Sequence, residues 1–309
     1  MLKTNTYNSN GTHFTNATVE LVKWPFNPSY SLDDKVLALQ TTRISPQLSL
    51  KSSVSELVSV IPALNNEKLE PTKLIDKASA FDGFNLGLHV GDSTERVTHN
   101  RNILKQFISR QLFNKPVTPD SKLVDEVKIQ WLEQIHGNEV VTVTRVDEQA
   151  MIADASITRH KNIALAIMTA DCLPILLSHK AGSEIAAIHG GWRPLAANII
   201  AKTIVKMHSK PSDIVAWLGP CISKDAFEVG DEVKQAFTQL DVIFNNAFVK
   251  QENGKYLADL HQIAQHQLAS LGVTVIASLA ECTYQETDKY YSYRKEQITG
   301  RMVSIICRR

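Results

Sequence analysis

Three apolar runs that each break into turn chemistry constrain what this chain can fold into. Asn162-Ile-Ala-Leu-Ala-Ile-Met168 is almost uninterrupted, and Pro174-Ile-Leu-Leu177 and Glu184-Ile-Ala-Ala-Ile188 follow closely. Such runs read as strands buried on both faces. Further strand patterns fall at 36–43, 128–131, 140–144, 214–218, 273–278 and 302–307. Phe84-Asn-Leu-Gly-Leu-His-Val-Gly91 alternates as a strand does, and 290–294 reads as an aromatic edge strand. Helical spacing predicts a helix over 93–113, opened by a capping box of Asp92 and Glu95, and another from Pro194 to Met207. It also predicts a helix from Asp231, as cap, to Phe237, and one over 259–271 closed by Gly272. Strands and helices mix without a regular βαβ alternation. The expectation is therefore a mixed α/β (α+β) fold, a mixed sheet or packed sheets flanked by helices, rather than a Rossmann or barrel fold.

The chain has 309 residues, long enough for a large core. Residues 1–20 read as a polar leader and 21–309 as a single domain. An insertion at about 44–77 carries prolines at 46, 62 and 71. Lys+Arg 33 against Asp+Glu 32 leave a formal net charge of +1, so no dedicated nucleic-acid or membrane surface is expected. No apolar run approaches a membrane span, and the first twenty residues lack a secretory h-region, so a cytoplasmic protein is expected. Four scattered cysteines fit no disulfide framework, in keeping with a reducing compartment.

His136, Cys172 and His189 each stand at the end of an apolar run and beside turn residues. Two imidazoles and a thiolate are a three-ligand zinc set with the fourth position open. Their separations, 36 and 17 residues, fit no finger or ribbon, so the fold must assemble such a site. The bland alternatives are a surface histidine and a small core cysteine. Gly190-Gly191 feeding a helix suits an anion, with Arg193 as a bidentate phosphate contact; a tight turn with a surface arginine is the alternative. Asp171 enters the same pocket as Cys172 only if the strand has ended, and there it is a candidate general base; a hydrogen-bonded turn aspartate is the alternative.

Taken in order, these segments resemble the YfiH family, also called the multicopper polyphenol oxidase or laccase-domain family. The resemblance rests on Thr41-Thr-Arg43, Asn85-Leu-Gly-Leu-His-Val-Gly-Asp92, Gln134-Ile-His-Gly137, Ala153-Asp-Ala155, Thr169-Ala-Asp-Cys-Leu-Pro174, His189-Gly-Gly-Trp-Arg193, Tyr291-Ser-Tyr-Arg294 and Thr299-Gly-Arg301. It implies a YfiH-like fold and a zinc held by His136, Cys172 and His189, with copper as a possible substitute. It also implies a purine nucleoside phosphorylase acting on adenosine, inosine, guanosine or methylthioadenosine with phosphate, and an adenosine deaminase activity. Cys172, Asp171 and Arg193 are the expected catalytic residues; Arg43, Asn85 and Arg294, carried from the motifs, are expected to bind substrate. The expected partners are small molecules only, purine nucleoside and phosphate, for a monomer or homodimer. Two other enzymes remain as alternatives, a copper-dependent polyphenol oxidase and a hydrolase with Cys172 as nucleophile. So does a structural zinc closed by Cys221 or Cys282. Ten histidines without a His-x-His pair speak against several coppers.

Overall fold

The computed structural model describes residues 6–7, 12–14, 18–25, 27, 29–48, 79–113 and 127–309. Two sheets dominate it. The first has five strands in the order Val19–Leu21, Val36–Thr41, Met302–Arg308, Ile163–Thr169, Lys128–Gln130. The second has six, in the order Val275–Ser278, Ile214–Leu218, Leu173–His179, Ile185–Gly190, Ala155–Thr158, Val140–Thr142. Both are mixed. Their inner pairs are antiparallel, and Lys128–Gln130, Val140–Thr142 and Val275–Ser278 join their neighbours in parallel.

Side chains alternate across each strand, so each buried strand feeds two cores. Leu165, Ile167 and Ile306 of the first sheet meet Leu176, Ala187 and Trp217 of the second in one core between the sheets. On its outer face the first sheet packs Ala164, Ala166 and Ile305 against Leu104, Phe107 and Ile108 of the Thr94–Phe113 helix. The second packs Ile175, Leu177 and Ile188 against the Ile199–Lys206, Asp231–Thr238 and Leu260–Ser270 helices. The result is four layers, helix, sheet, sheet, helix. This is why the central runs carry no polar alternation: all seven residues of Ile163–Thr169 are buried.

The chain passes from the first sheet to the second through one tight turn. Ile163–Thr169 ends, Ala170, Asp171 and Cys172 turn, and Leu173–His179 begins in the other layer. Leu173–His179 pairs with Ile185–Gly190 in the register Leu173↔Gly190 and Pro174↔His189. That register brings His189 back to the turn that carries Cys172.

Several local expectations are corrected. Residues 84–91 form no strand. Asn85 Oδ1 accepts from Gly87 N–H at 3.0 Å and from Arg301 N–H at 2.8 Å, a side-chain turn that competes with strand pairing. The following helix is capped by Ser93, whose Oγ accepts from Arg96 N–H at 3.3 Å, while Asp92 accepts from Asn85 Nδ2 at 2.8 Å. The Asp231–Thr238 helix has Gly230 at its N-cap, with no side-chain cap. The helix expected from Pro194 to Met207 is two, Trp192–Ala196 and Ile199–Lys206, broken at Asn198 with φ 59°. The aromatic segment expected as an edge strand buries Tyr290 and Tyr291 completely, and Ser292 caps a short Tyr293–Glu296 helix. Within the expected leader, Thr6–Tyr7 pairs with Thr12–Phe14, and Thr12–His13 pair with Gln47–Leu48. Most of the expected insertion lies outside the described residues. Among the described residues no helix is long and apolar enough to cross a membrane.

Candidate active site

The ligating atoms of His136, Cys172 and His189 lie within 4.8 Å of one another, the only such group of three metal-ligating residues among the described residues. Cys172 Sγ stands 3.9 Å from His136 Nε2, and the two imidazoles meet edge to face at 4.7 Å between centroids. The sequence opens room for them at Gly191. A Cβ there would sit 3.2 Å from Cys172 Sγ and 3.3 Å from His136 Cδ2.

One buried carboxylate, quoted in the Ala153-Asp-Ala155 motif but given no role there, builds the cluster. Asp154 Oδ1 contacts His189 Nδ1 at 2.8 Å and accepts from His136 N–H at 3.0 Å; its Oδ2 accepts from Gly137 N–H at 2.6 Å. It thus turns His189 so that Nε2 faces the other donors, the carboxylate–histidine arrangement that orients metal ligands. It also fixes His136 at φ 59°, a left-handed conformation that a non-glycine residue keeps only when held. Gln134 anchors the same loop, accepting from Met168 N–H and donating to Met168 C=O, both at 2.8 Å.

The electrostatics suit a cation. Burial raises the Cys172 thiol, but the charge on His189 and hydrogen bonds from His136 and His189 lower it further, to about 6. Burial lowers His189, and the Cys172 thiolate with Asp154 raises it, to about 9. Burial also raises Asp154, while His189 and the Gly137 and His136 N–H groups outweigh that and hold it below the usual carboxylate range. A thiolate and two imidazoles are a donor set that fits a zinc- or copper-type ion, and such an ion would take the place of the extra proton on His189. Cys221 and Cys282 are buried free thiols whose backbones pair with each other, and they lie outside the donor group; among the described residues the fourth ligand that the structural-zinc alternative needs is not there.

The cluster opens into a cavity of about 540 Å³. Its lining includes two of the expected residues besides the donors and Asp171, namely Arg193 and Arg294. Asp171 sits at φ 97°, past the strand end, and so shares the cavity with Cys172. Its Oδ1 accepts from Thr283 Oγ1 at 2.7 Å and its Oδ2 from Arg294 N–H at 2.6 Å, bonds that hold the strained turn. Arg294 donates from Nη1 to Glu228 C=O at 3.0 Å. Arg193 lies 4.5 Å over the Trp192 ring, in a helix of only five residues, too short for the helix dipole expected there.

Arg43 and Asn85 do not line the cavity. Arg43 binds Thr287 C=O at 2.8 Å and Glu296 at 2.9 Å, tying the first sheet to the loop that carries Arg294. Asn85 is fully buried and shapes the cavity by holding the Arg301 backbone. Like Asp154, the residues Arg301, His89, Trp192 and Phe227 were given no site role from the sequence, and all four line the cavity.

Fold and site together define a layered mixed α/β protein with an open His/Cys/His centre of metal-ligating type at a sheet-to-sheet turn. The model of the family described as multi-copper polyphenol oxidoreductase laccase matches residues 76–309, and the chain belongs to this family, the YfiH family. Among its relatives, "Purine nucleoside phosphorylase YfiH" of Escherichia coli is 42% identical over 226 residues, 73% of this chain and 86% of that protein. The "Purine nucleoside phosphorylase" of Haemophilus influenzae is 40% identical over 225 residues, 72% and 86% of the two chains. The crystal structure of Neisseria meningitidis protein NMB0706 superposes with a TM-score of 0.73 at 33% identity, covering 94% of this chain and 99% of that one.

Proposed function

We propose that the protein is a cytoplasmic zinc-dependent purine nucleoside phosphorylase that cleaves adenosine, inosine, guanosine or methylthioadenosine with phosphate, and that also deaminates adenosine. The observation that carries this reading is the joint geometry of the cavity. A three-donor centre with no fourth protein ligand among the described residues opens onto a space of a size suited to a nucleoside with phosphate, lined by guanidinium groups and aromatic rings. The names of the relatives supply the substrate class.

His136, Cys172 and His189 would hold the zinc, which when bound supplies Lewis acidity to an oxygen it touches. Trp192 and Phe227 offer apolar faces for the purine and keep water from it. Arg193 neutralises phosphate charge at the rim. A phosphate oxygen attacks the ribose C1′, the bond from C1′ to the purine nitrogen breaks, and the base leaves with a proton. With water in place of phosphate, attack at C6 of adenosine releases ammonia. Asp171 is the proposed proton carrier, since each of its oxygens keeps a lone pair beyond the bond from Thr283 or Arg294. The family's copper-oxidase description finds no second or third donor group among the described residues, so phosphorolysis is the better reading.

The test is product analysis by liquid chromatography after incubating zinc-loaded protein with adenosine or inosine, with and without phosphate. Free base and ribose 1-phosphate formed only with phosphate are expected, together with inosine from adenosine. Cys172→Ser should abolish both products and bound zinc. A fully active Cys172→Ser protein, or no product from the wild type, overturns the reading.

A further inference from the structure

Arg301 lines the cavity with its stem fixed. Its backbone N–H donates to Asn85 Oδ1 at 2.8 Å. Its Cγ lies where Gly87 has no side chain: a Cβ on residue 87 would come within 2.8 Å. Its Nη1 donates to Thr299 C=O at 3.1 Å and Gly300 C=O at 2.9 Å. Among the described residues its Nε and Nη2 have no protein acceptor, and no carboxylate forms an ion pair with it. Its guanidinium lies 5.8 Å over the Tyr293 ring and is half-buried, whereas Arg193 and Arg294 are exposed.

A second donor shares this wall. His89 lines the cavity from the turn that leaves room for Arg301. Behind it Arg101 donates from Nε to Leu86 C=O at 2.9 Å and stacks 3.6 Å over Trp131, also without a carboxylate partner among the described residues. Arg301 and Arg101 are two held guanidinium cations, and burial together with their charges keeps the His89 imidazole below its ordinary pKa, so it joins them as a neutral N–H donor. A guanidinium with two free N–H directions is matched to two oxygens of one group.

We propose that Arg301, with His89 beside it, seats a tetrahedral phosphoryl group in the cavity that holds His136, Cys172 and His189. That the occupant is co-substrate phosphate rests on the phosphorylase reading. A nucleotide's phosphate ester offers the same chemistry. The fixed guanidinium chooses the orientation of the anion, and Arg193 only adds charge.

The experiment titrates inorganic phosphate, and separately adenosine 5′-monophosphate, into zinc-loaded wild type, Arg301→Gln and Arg301→Lys by calorimetry. Zinc content and melting temperature of each variant serve as folding controls. Phosphate binding should weaken about tenfold or more in Arg301→Gln, the loss of charge-assisted hydrogen bonds, and by less in Arg301→Lys, which keeps charge without the fork. A loss confined to the nucleotide supports the seat with an ester as its occupant. Arg301→Gln binding both ligands within twofold of wild type overturns the proposal, as does a wild type that takes up neither at millimolar concentration. The two readings separate in turnover. Phosphate-dependent base release with an unchanged KM for phosphate in Arg301→Gln overturns the seat and leaves the phosphorylase. Arg301-dependent phosphate binding without base release supports the seat and overturns the phosphorylase.

Discussion

Asp154 makes three hydrogen bonds from full burial, one to His189 and two to the backbone around His136. Replacing it with asparagine keeps the shape but turns an amide N–H₂ toward groups that themselves donate. Asp154→Asn should therefore lower zinc affinity about 10- to 100-fold, the usual effect of losing a group that orients a metal ligand. Competition with a chromophoric chelator reads this directly, and an affinity within twofold of wild type would remove Asp154 from the centre. The same residue shows where the sequence stops being legible. His136, Cys172 and His189 are recognisable because their side chains have ligand chemistry and each ends an apolar run. Asp154, between two alanines, looks like any turn aspartate, and its role comes from a tertiary contact that no local spacing encodes. Arg301 and His89 stand in quoted motifs too, and their place at the cavity likewise comes from tertiary contacts. Arg43 and Asn85, carried from motifs, act on the cavity from outside it.

At the scale of elements, the break between Trp192–Ala196 and Ile199–Lys206 decides where Trp192 and Arg193 stand. Asn198 takes φ 59° there, and Asn138 Nδ2 donates to the Ala197 carbonyl at 2.8 Å at the break. A residue with Cβ costs about 1–2 kcal/mol in this left-handed conformation, glycine very little and asparagine less than most. Asn198→Ala should lose about 1 kcal/mol, and Asn198→Gly should stay near wild type. Urea unfolding midpoints measure both, and an alanine variant as stable as wild type would show that the break costs nothing. Apolar spacing could not reveal it, because Leu195, Ile199, Ile200 and Ile204 all enter one core and keep a helical period across the kink. The strands were more legible. Ile163–Thr169 and Ile214–Leu218 are buried along their whole lengths and Leu173–His179 is buried up to Ser178, and composition alone reports that. The 84–91 turn and the Tyr293–Glu296 helix were missed because side-chain hydrogen bonds from Asn85 and Ser292 override the local pattern.

For the whole molecule, the layers are joined at their edges as well as through their cores. Glu184 stands immediately before the Ile185–Gly190 strand, only 2% exposed, and receives the chain leaving the Ile199–Lys206 helix. It accepts from His208 N–H at 2.9 Å, Ser209 N–H at 3.0 Å and Ser209 Oγ at 2.7 Å, and pairs with Arg159. Burial pushes its carboxyl up, but these hydrogen bonds and the Arg159 charge outweigh burial and hold it below the ordinary 4.5. A carboxyl depressed in the folded state contributes stability that is fully present above its unfolded value and is lost as pH falls through the folded one. Glu184→Gln should therefore be less stable at pH 7 by about 1–3 kcal/mol, since the uncharged amide also turns donors toward donors. The gap should narrow as pH falls below about 4.5, where wild type protonates and the glutamine protein has nothing to lose. Urea unfolding of both proteins from pH 7 to pH 3 measures the gap at each step. A gap constant over that range would mean that Glu184 acts by shape and that its charge does not join helix layer to sheet.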